Sequence, residues 1–170
     1  VTVDSEGKHI YPYYNRDGDH VASKIRTPDK KFRIEGDVKN VGLFGQHLFK
    51  KGGKYITLVE GELDALATHQ IFDCKWPVVS VRSGVSGACK DVESNYEYLT
   101  SFDNIIICFD SDKVGRHYSK KVAELLSPKA PIMRMRYKDA CEYLENYDIE
   151  EFKSDWWNAE IYTQDGSRPS

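Results

Sequence analysis

Two short acidic segments have the residue types and spacing for shared chemistry. Glu60, Gly61 and Asp64 follow the apolar run at 55–59, and Asp110 and Asp112 follow the apolar run at 105–109, with Gly115 just beyond. Each run reads as a buried parallel strand that stops at an acid and turns into a helix. Ligands of open α/β sheets sit at the carboxyl ends of such strands. Asp110 and Asp112 stand at i and i+2, so an extended backbone points both to one face. Two carboxylates held close repel unless a cation lies between them. Hard oxygens suit Mg²⁺ or Mn²⁺, and a divalent-metal site for phosphate chemistry is the expectation.

Plainer readings compete with this one. An Asp at a strand end is often a helix cap, which covers Asp110, Asp112, Asp64 or Asp148 taken singly. The pair is harder to dismiss in that way. A calcium loop fits at Asp110, Asp112 and Gly115 but fails at its fifth position, Val114, and its twelfth, Lys121.

The elements that must position these acids can be read along the chain. HIYPYYN at 9–15, an Asp17-Gly18 turn and HVASKIR at 20–26 read as a hairpin, and KKFRIEG reads as a third strand. Residues 41–49 are apolar at helix-like intervals, but Gly42 and Gly45 argue against a long helix. Lys50-Lys51-Gly52-Gly53 is a turn and a lobe boundary. Beyond it, strands and helices alternate. A helix over about 61–72 is expected to bury Leu63, Leu66, Ala67 and Ile71. A strand at 76–81 precedes the loop SGVSGACK, and a helix runs through 90–100. The strand at 105–109 leads to a helix burying Val114, Tyr118, Val122, Leu125 and Leu126. IMRMR is a fourth strand, and helices follow Asp139 and cover 148–157. Four strands alternating with helices imply a parallel sheet with right-handed crossovers. Trp76 is expected in the core, with Trp156 and Trp157 docking the last helix. The divisions are 1–53, a small N-terminal β-rich basic lobe; 54–158, an α/β catalytic domain; and 159–170, a linker or tail.

Composition narrows the classes. The chain has 170 residues, 40% apolar and 30% charged, with a net charge of -3. That is ordinary for a globular protein and does not announce a nucleic-acid binder, so such a function needs a local patch. No apolar run can span a bilayer, and the polar start VTVDSEGKHI is not a signal peptide. A start at Val1 rather than Met is expected of a fragment. Cys74, Cys89, Cys108 and Cys141 show no metal spacing and read as reduced thiols of a cytoplasmic protein.

Between positions 23 and 33 lie five basic residues, Lys24, Arg26, Lys30, Lys31 and Arg33, against the single acid Asp29. Alone, this is a solvated hairpin face. In a chain that also carries a metal-binding acid set it gains weight, because Lys and Arg neutralise triphosphate or template backbone. The loop at 83–90 matches neither common phosphate-loop pattern, although Arg82 and Lys90 could reach phosphate.

VEGELDA followed by FDSDKVGR resembles the TOPRIM domain of topoisomerases, primases and nucleases. With SKIRTPDKKFR, GLFGQHLF, DCKWPVVSV, NYEYL and YKDACEYL, the chain from about Tyr11 to Trp157 resembles the RNA polymerase domain of phage-type bifunctional primase-helicases. The resemblance implies a TOPRIM-like parallel sheet flanked by helices and template-directed synthesis of short RNA primers. It implies that Glu60, Asp110 and Asp112 are catalytic, and that with Asp64 and Asp139 they hold Mg²⁺ or Mn²⁺. Lys24, Lys30, Arg33 and Lys39 match nucleotide-contacting positions, and Arg26 belongs to the same stretch. Arg33 stands where a Lys is frequent, which keeps the charge and changes its geometry. The implied partners are single-stranded DNA, ribonucleoside triphosphates, and a helicase domain and zinc module in the same full-length chain, inside a phage-infected bacterium. The rivals are a TOPRIM nuclease using the same metals and a non-catalytic platform for a helicase. A topoisomerase would need a further domain with a nucleophilic Tyr.

Overall fold

The structure is a computed structural model, described here for residues 1–162. It divides into two compact units, Val1–Lys50 and a second beginning at Lys51. The expected tail at 163–170 lies outside the described residues.

The first unit is an antiparallel sheet in the order β1-β2-β3-β4, formed by Thr2–Val3, His9–Tyr14, His20–Arg26 and Phe32–Gly36. β1 is a short addition to the three expected strands. The hairpin turn between β2 and β3 needs Gly18, whose φ is 86°. The register sets Tyr11 opposite Lys24 and Tyr13 opposite Ala22, and Lys24 in turn faces Ile34. Directly paired residues share a face of the sheet. On that face Tyr11, Tyr13 and Ala22 are buried, and both tyrosines pack their rings on Phe44. Residues 41–49 form no long helix, only a single 3₁₀ turn at Gln46–Leu48.

The second unit carries a parallel sheet in the order β6-β5-β7, from Gly53–Val59 (β5), Val78–Ser80 (β6) and Phe102–Cys108 (β7). Ile56, Leu58, Val59, Ile105 and Ile107 are fully buried, as expected of strands covered on both faces. Each contributes about 1.5–3 kcal/mol of burial. The helices are Glu62–Ile71 (α1), Ala88–Ser94 (α2), Tyr96–Thr100 (α3), Lys113–Leu126 (α4), Ala140–Glu145 (α5) and Ile149–Trp157 (α6).

Several expectations need correction. The fourth strand is reduced to isolated bridges at Ile132, one to Glu160 and one to β7, in which Ile107 donates to the Pro131 carbonyl and Met133 donates to the Ile107 carbonyl. The next rung would require a donor from residue 131, and proline has none. Leu63 and Leu66 stay 40% and 41% exposed, because α1 turns the smaller Ala65, Ala67 and Thr68, with Ile71, inward. Val114 and Leu125 of α4 are likewise outside the buried stripe of Gly115, Ser119, Val122, Ala123 and Leu126. The helix expected through 90–100 breaks at Asn95, whose side chain donates to the Asp91 carbonyl. Trp156 is buried and donates from its indole N–H to the Thr57 hydroxyl at 2.9 Å, whereas Trp157 remains 57% exposed. Trp76 is half-buried among Phe72, Tyr55 and Trp156 rather than in the core.

Candidate metal centre

Pairing of β5 with β7 puts Val59 level with Cys108, so the residues leaving the two strands emerge together. The Asp110 amide donates to Oε2 of Glu60 at 3.0 Å. Asp112 leaves this strand direction and caps α4, its Oδ1 accepting from the Gly115 amide at 2.7 Å. The cap reading therefore holds for Asp112 and not for Asp110. Asp64 lies inside the first turn of α1. Asp139 caps α5 by accepting from the Glu142 amide at 3.0 Å. The carboxylate of Asp148 does not cap α6 and accepts instead from the Tyr137 hydroxyl.

The acids feel one another strongly. Burial first, and then the charge of Asp139, pushes the Asp64 carboxyl up to about 7. Burial, then Glu60, then Asp139 pushes Asp110 up to about 7, against the opposing pull of Lys138. Glu60 is raised by burial, opposed by the hydrogen bond from the Asp110 amide, and raised again by Asp112 and Asp64. Asp112 acts on Asp110 less than Glu60 and Asp139 do. The coupled set thus runs through Glu60, Asp110, Asp139 and Asp64, rather than being an isolated Asp110–Asp112 pair.

Among the described residues, the group with donor atoms mutually within 4.8 Å is Asp64, Asp139 and Cys141. Glu60, Asp110 and Asp112 are not in so tight a group. The Cys141 thiol donates to Oδ1 of Asp64 at 3.2 Å and is itself pushed well above its ordinary pKa by burial and by Asp64. A carboxylate set that resists ionisation when alone fits a divalent cation, which favours the deprotonated form. Cys141 and Lys138 escaped the sequence reading. Neither has a spacing signal, and only the placement of the loop before α5 brings them to the acids.

The basic residues do not form one face. Arg33 pairs across the sheet with Ile25, so it points opposite to Lys24, Arg26 and Ile34. Lys24 is buried, with its ammonium 4.4 Å from the centre of the Phe32 ring. Arg26 keeps a buried Nε with no hydrogen-bond partner among the described residues. Arg33 bonds Glu35 at 3.0 Å, while Lys30 and Lys39 are exposed. In the second unit, Arg82 is held by Asp91 through the backbone N–H at 2.7 Å and through Nε and Nη2 at 2.9 and 2.8 Å. Its guanidinium thus spends Nε and Nη2 on a buried carboxylate.

The profile of the Toprim-like family matches residues 57–144, which contain all five acids. The chain belongs to the Toprim-like family. This Toprim-like chain is 37% identical over 165 residues to the DNA helicase/primase of Enterobacteria phage T3, covering 96% of itself and 29% of that protein. It therefore spans less than a third of the phage T3 relative. The primase fragment of the bacteriophage T7 primase-helicase superposes with a TM-score of 0.84 at 36% identity, over 92% of this chain and 66% of the fragment. A second T7 structure holds a lagging-strand DNA polymerase with primase domains bound to an RNA/DNA hybrid and dTTP. It matches with a TM-score of 0.86 at 36% identity, over 94% of this chain and 82% of the matched chain. Both fold and sequence thus place the chain beside phage primase-helicases. Among the described residues, no helix is long and apolar enough to cross a membrane.

Proposed function

We propose that this chain is the catalytic core of a DNA primase, making short RNA primers on single-stranded DNA by metal-dependent nucleotidyl transfer. The observation that carries the reading is the convergence of Glu60, Asp64, Asp110 and Asp139 at strand and helix ends, with Asp64 and Asp110 both raised to about 7. Identity of 36–37% to phage relatives named as primases supports it.

In this reading Glu60, Asp64, Asp110, Asp112 and Asp139 hold Mg²⁺ or Mn²⁺. Such ions would stabilise the attacking 3′-oxygen and the leaving pyrophosphate oxygen of an in-line displacement. The chain's own groups have definite tasks. The Asp110 amide holds the Glu60 carboxylate in place. Lys138 offsets part of the negative charge at Glu60 and Asp110. Asp112 anchors the start of α4. Residues 1–53 are the basic lobe and 54–158 the catalytic domain. In the lobe, Lys24, Arg26, Lys30, Arg33 and Lys39 supply charge toward phosphates, and the unpaired Arg26 Nε is a donor that an anion would satisfy. A helicase domain and a zinc module in the same longer chain, working in the cytoplasm of an infected bacterium, complete the proposal.

The test is extension of a diribonucleotide annealed to single-stranded DNA, with Mg²⁺ or Mn²⁺ and labelled ribonucleoside triphosphates. Template-dependent extension that is lost in Asp110→Ala is expected. Metal-dependent loss of the DNA strand without extension would replace the reading with a nuclease. Metal binding with neither activity would replace it with a platform.

A further inference from the structure

Helices α1 and α5 pack against each other, and their first turns bring three different side chains to one corner. Asp64 comes from α1, Asp139 caps α5, and Cys141 lies in the first turn of α5. One donor atom from each lies within 4.8 Å of the other two. The Cys141 sulfur and Oδ1 of Asp64 are 3.2 Å apart, joined by the hydrogen bond that the thiol donates. A four-coordinate ion bonded at about 2.0–2.3 Å to oxygen and sulfur keeps its ligand atoms about 3.3–3.8 Å apart, so these three need little movement to close on one. Asp139 spends Oδ1 on the Glu142 amide and keeps its other oxygen. All three side chains are half-buried, which leaves a side open to water as a fourth ligand. The remaining thiols are placed differently. Cys108 is buried and directed at the Met135 sulfur at 3.6 Å, Cys89 lies in α2, and Cys74 is exposed after α1.

We propose that Cys141 is a metal ligand that sets which cations the acid cluster accepts, giving the Asp64–Asp139–Cys141 corner a preference for a thiophilic ion such as Zn²⁺ or Cd²⁺ over Mg²⁺. Carboxylate oxygens alone suit Mg²⁺ or Mn²⁺, and a thiolate among them shifts the preference toward softer ions. Two carboxylates and one sulfur with an open fourth position are an ordinary environment for Zn²⁺, whereas Mg²⁺ asks for an octahedron of oxygens. Glu60 and Asp110 offer only oxygen and lie outside this tight group, so the cluster has a hard side and a soft corner that share its charge. As the ion binds, a metal–sulfur bond forms and the S–H proton leaves to solvent, with nothing oxidised or reduced. A soft ion seated there takes Asp64 and Asp139 away from a hard one, so Zn²⁺ acts as a competitor of Mg²⁺. The inference rests on Asp64 and Asp139 holding a cation, and not on primer synthesis.

Cd²⁺ is the probe, because a bond to sulfur gives a charge-transfer band in the near ultraviolet that a bond to oxygen does not. Titrating the reduced chain with Cd²⁺ is expected to produce this band saturably. Cys141→Ser keeps a hydroxyl donor for Asp64 and removes the sulfur, so the band should be lost. The ratio of Cd²⁺ affinity to Mg²⁺ affinity should fall about tenfold or more in that variant. Cys74→Ser and Cys89→Ser should keep both the band and the ratio. A measurement on the unaltered chain stands beside the variants: Cd²⁺ should shield Cys141 from iodoacetamide, read by mass spectrometry of its peptide, and Mg²⁺ at equal occupancy should shield it less. No band, a band that survives Cys141→Ser, or equal shielding by the two ions would overturn the proposal. So would a fall of both affinities in the same proportion, which marks Cys141 as structural only. Mg²⁺ binding with no preference for Cd²⁺ defeats this inference alone, and a chain that binds no divalent ion defeats the metal reading with it. Extension of a diribonucleotide tests primer synthesis separately.

Discussion

Glu60 and Asp110 are joined by a 3.0 Å hydrogen bond from the Asp110 amide to the Glu60 carboxylate, linking the ends of two adjacent parallel strands. The bond orients Glu60 and offsets only part of the burial and repulsion that act against its charge. Asp64, Asp112 and Asp139 add negative potential around the same two groups. A folded arrangement that concentrates carboxylates in this way opposes its own ionisation, and a divalent cation reverses that.

The first consequence is a dependence of stability on pH. Asp64 and Asp110 rise from an ordinary value of 3.8 to about 7 in the folded chain. Between these values the native state binds more protons than the unfolded state, so stability falls as pH rises. The loss begins near pH 4 and is complete somewhat above pH 7. Calorimetry in EDTA should show the melting temperature falling from pH 5 to pH 8. Mg²⁺ should restore it, with a larger effect at the higher pH. A melting temperature that climbs over this window in EDTA would contradict the coupled-acid picture.

Glu60→Gln separates the geometric role of this side chain from its charge. The amide oxygen of Gln can still accept from the Asp110 amide, while one negative charge leaves the cluster. Without metal the variant should melt at a higher temperature, by a few degrees, which corresponds to about 1 kcal/mol in a domain of this size. Its affinity for Mn²⁺, followed by titration calorimetry, should fall about tenfold or more, the effect of losing about 1.4 kcal/mol of binding. A lower melting temperature together with unchanged Mn²⁺ affinity would show that the charge of Glu60 is not what matters.

The strands carrying the acids were legible because buried parallel strands write continuous apolar runs, and both runs end at an acid. The helix faces were less so. In α1 the sequence offers Leu63 and Leu66 as core candidates, but close packing selects Ala65 and Thr68. Hydrophobicity alone does not record how near a helix must approach a sheet. IMRMR looked like a strand, and only the register against Ile107 shows that Pro131 falls where a donor is needed. At the site, Asp110 and Asp112 suggested a pair by proximity in sequence. The stronger partners of Asp110 are Glu60 and Asp139, from other elements. Cys141 enters beside Asp64 across a separation of 77 residues, beyond any local motif.

Gly115 is required by the turn that follows the acids. A Cβ there would lie 1.9 Å from the Asp110 carbonyl oxygen, a backbone atom that cannot move without shifting the site. Gly115→Ala should therefore cost about 1–3 kcal/mol in denaturant unfolding, as overpacking does. It should also diminish the rise in melting temperature on adding Mg²⁺, since the carboxylate of Asp110 is displaced with its backbone. A variant with wild-type stability and a full response to Mg²⁺ would show that the turn between β7 and α4 is not held as described.

Arg82 is held by a buried carboxylate, and its variants separate that structural role from ligand binding. Its guanidinium and backbone N–H together bind Asp91, which is 3% exposed. Removing the guanidinium leaves that carboxylate buried with only part of its compensation. Arg82→Ala should then cost about 3 kcal/mol or more, the usual penalty for breaking a buried ion pair from one side. Arg82→Lys should recover only part, because an ammonium lacks the planar fork that matches a carboxylate. Asp91→Asn with Arg82 intact should also destabilise, and the double variant should cost less than the sum of the singles. Unfolding titrations of the four chains measure that coupling. If Arg82→Ala folds as stably as the parent and loses only nucleotide affinity, the residue belongs to the ligand site after all.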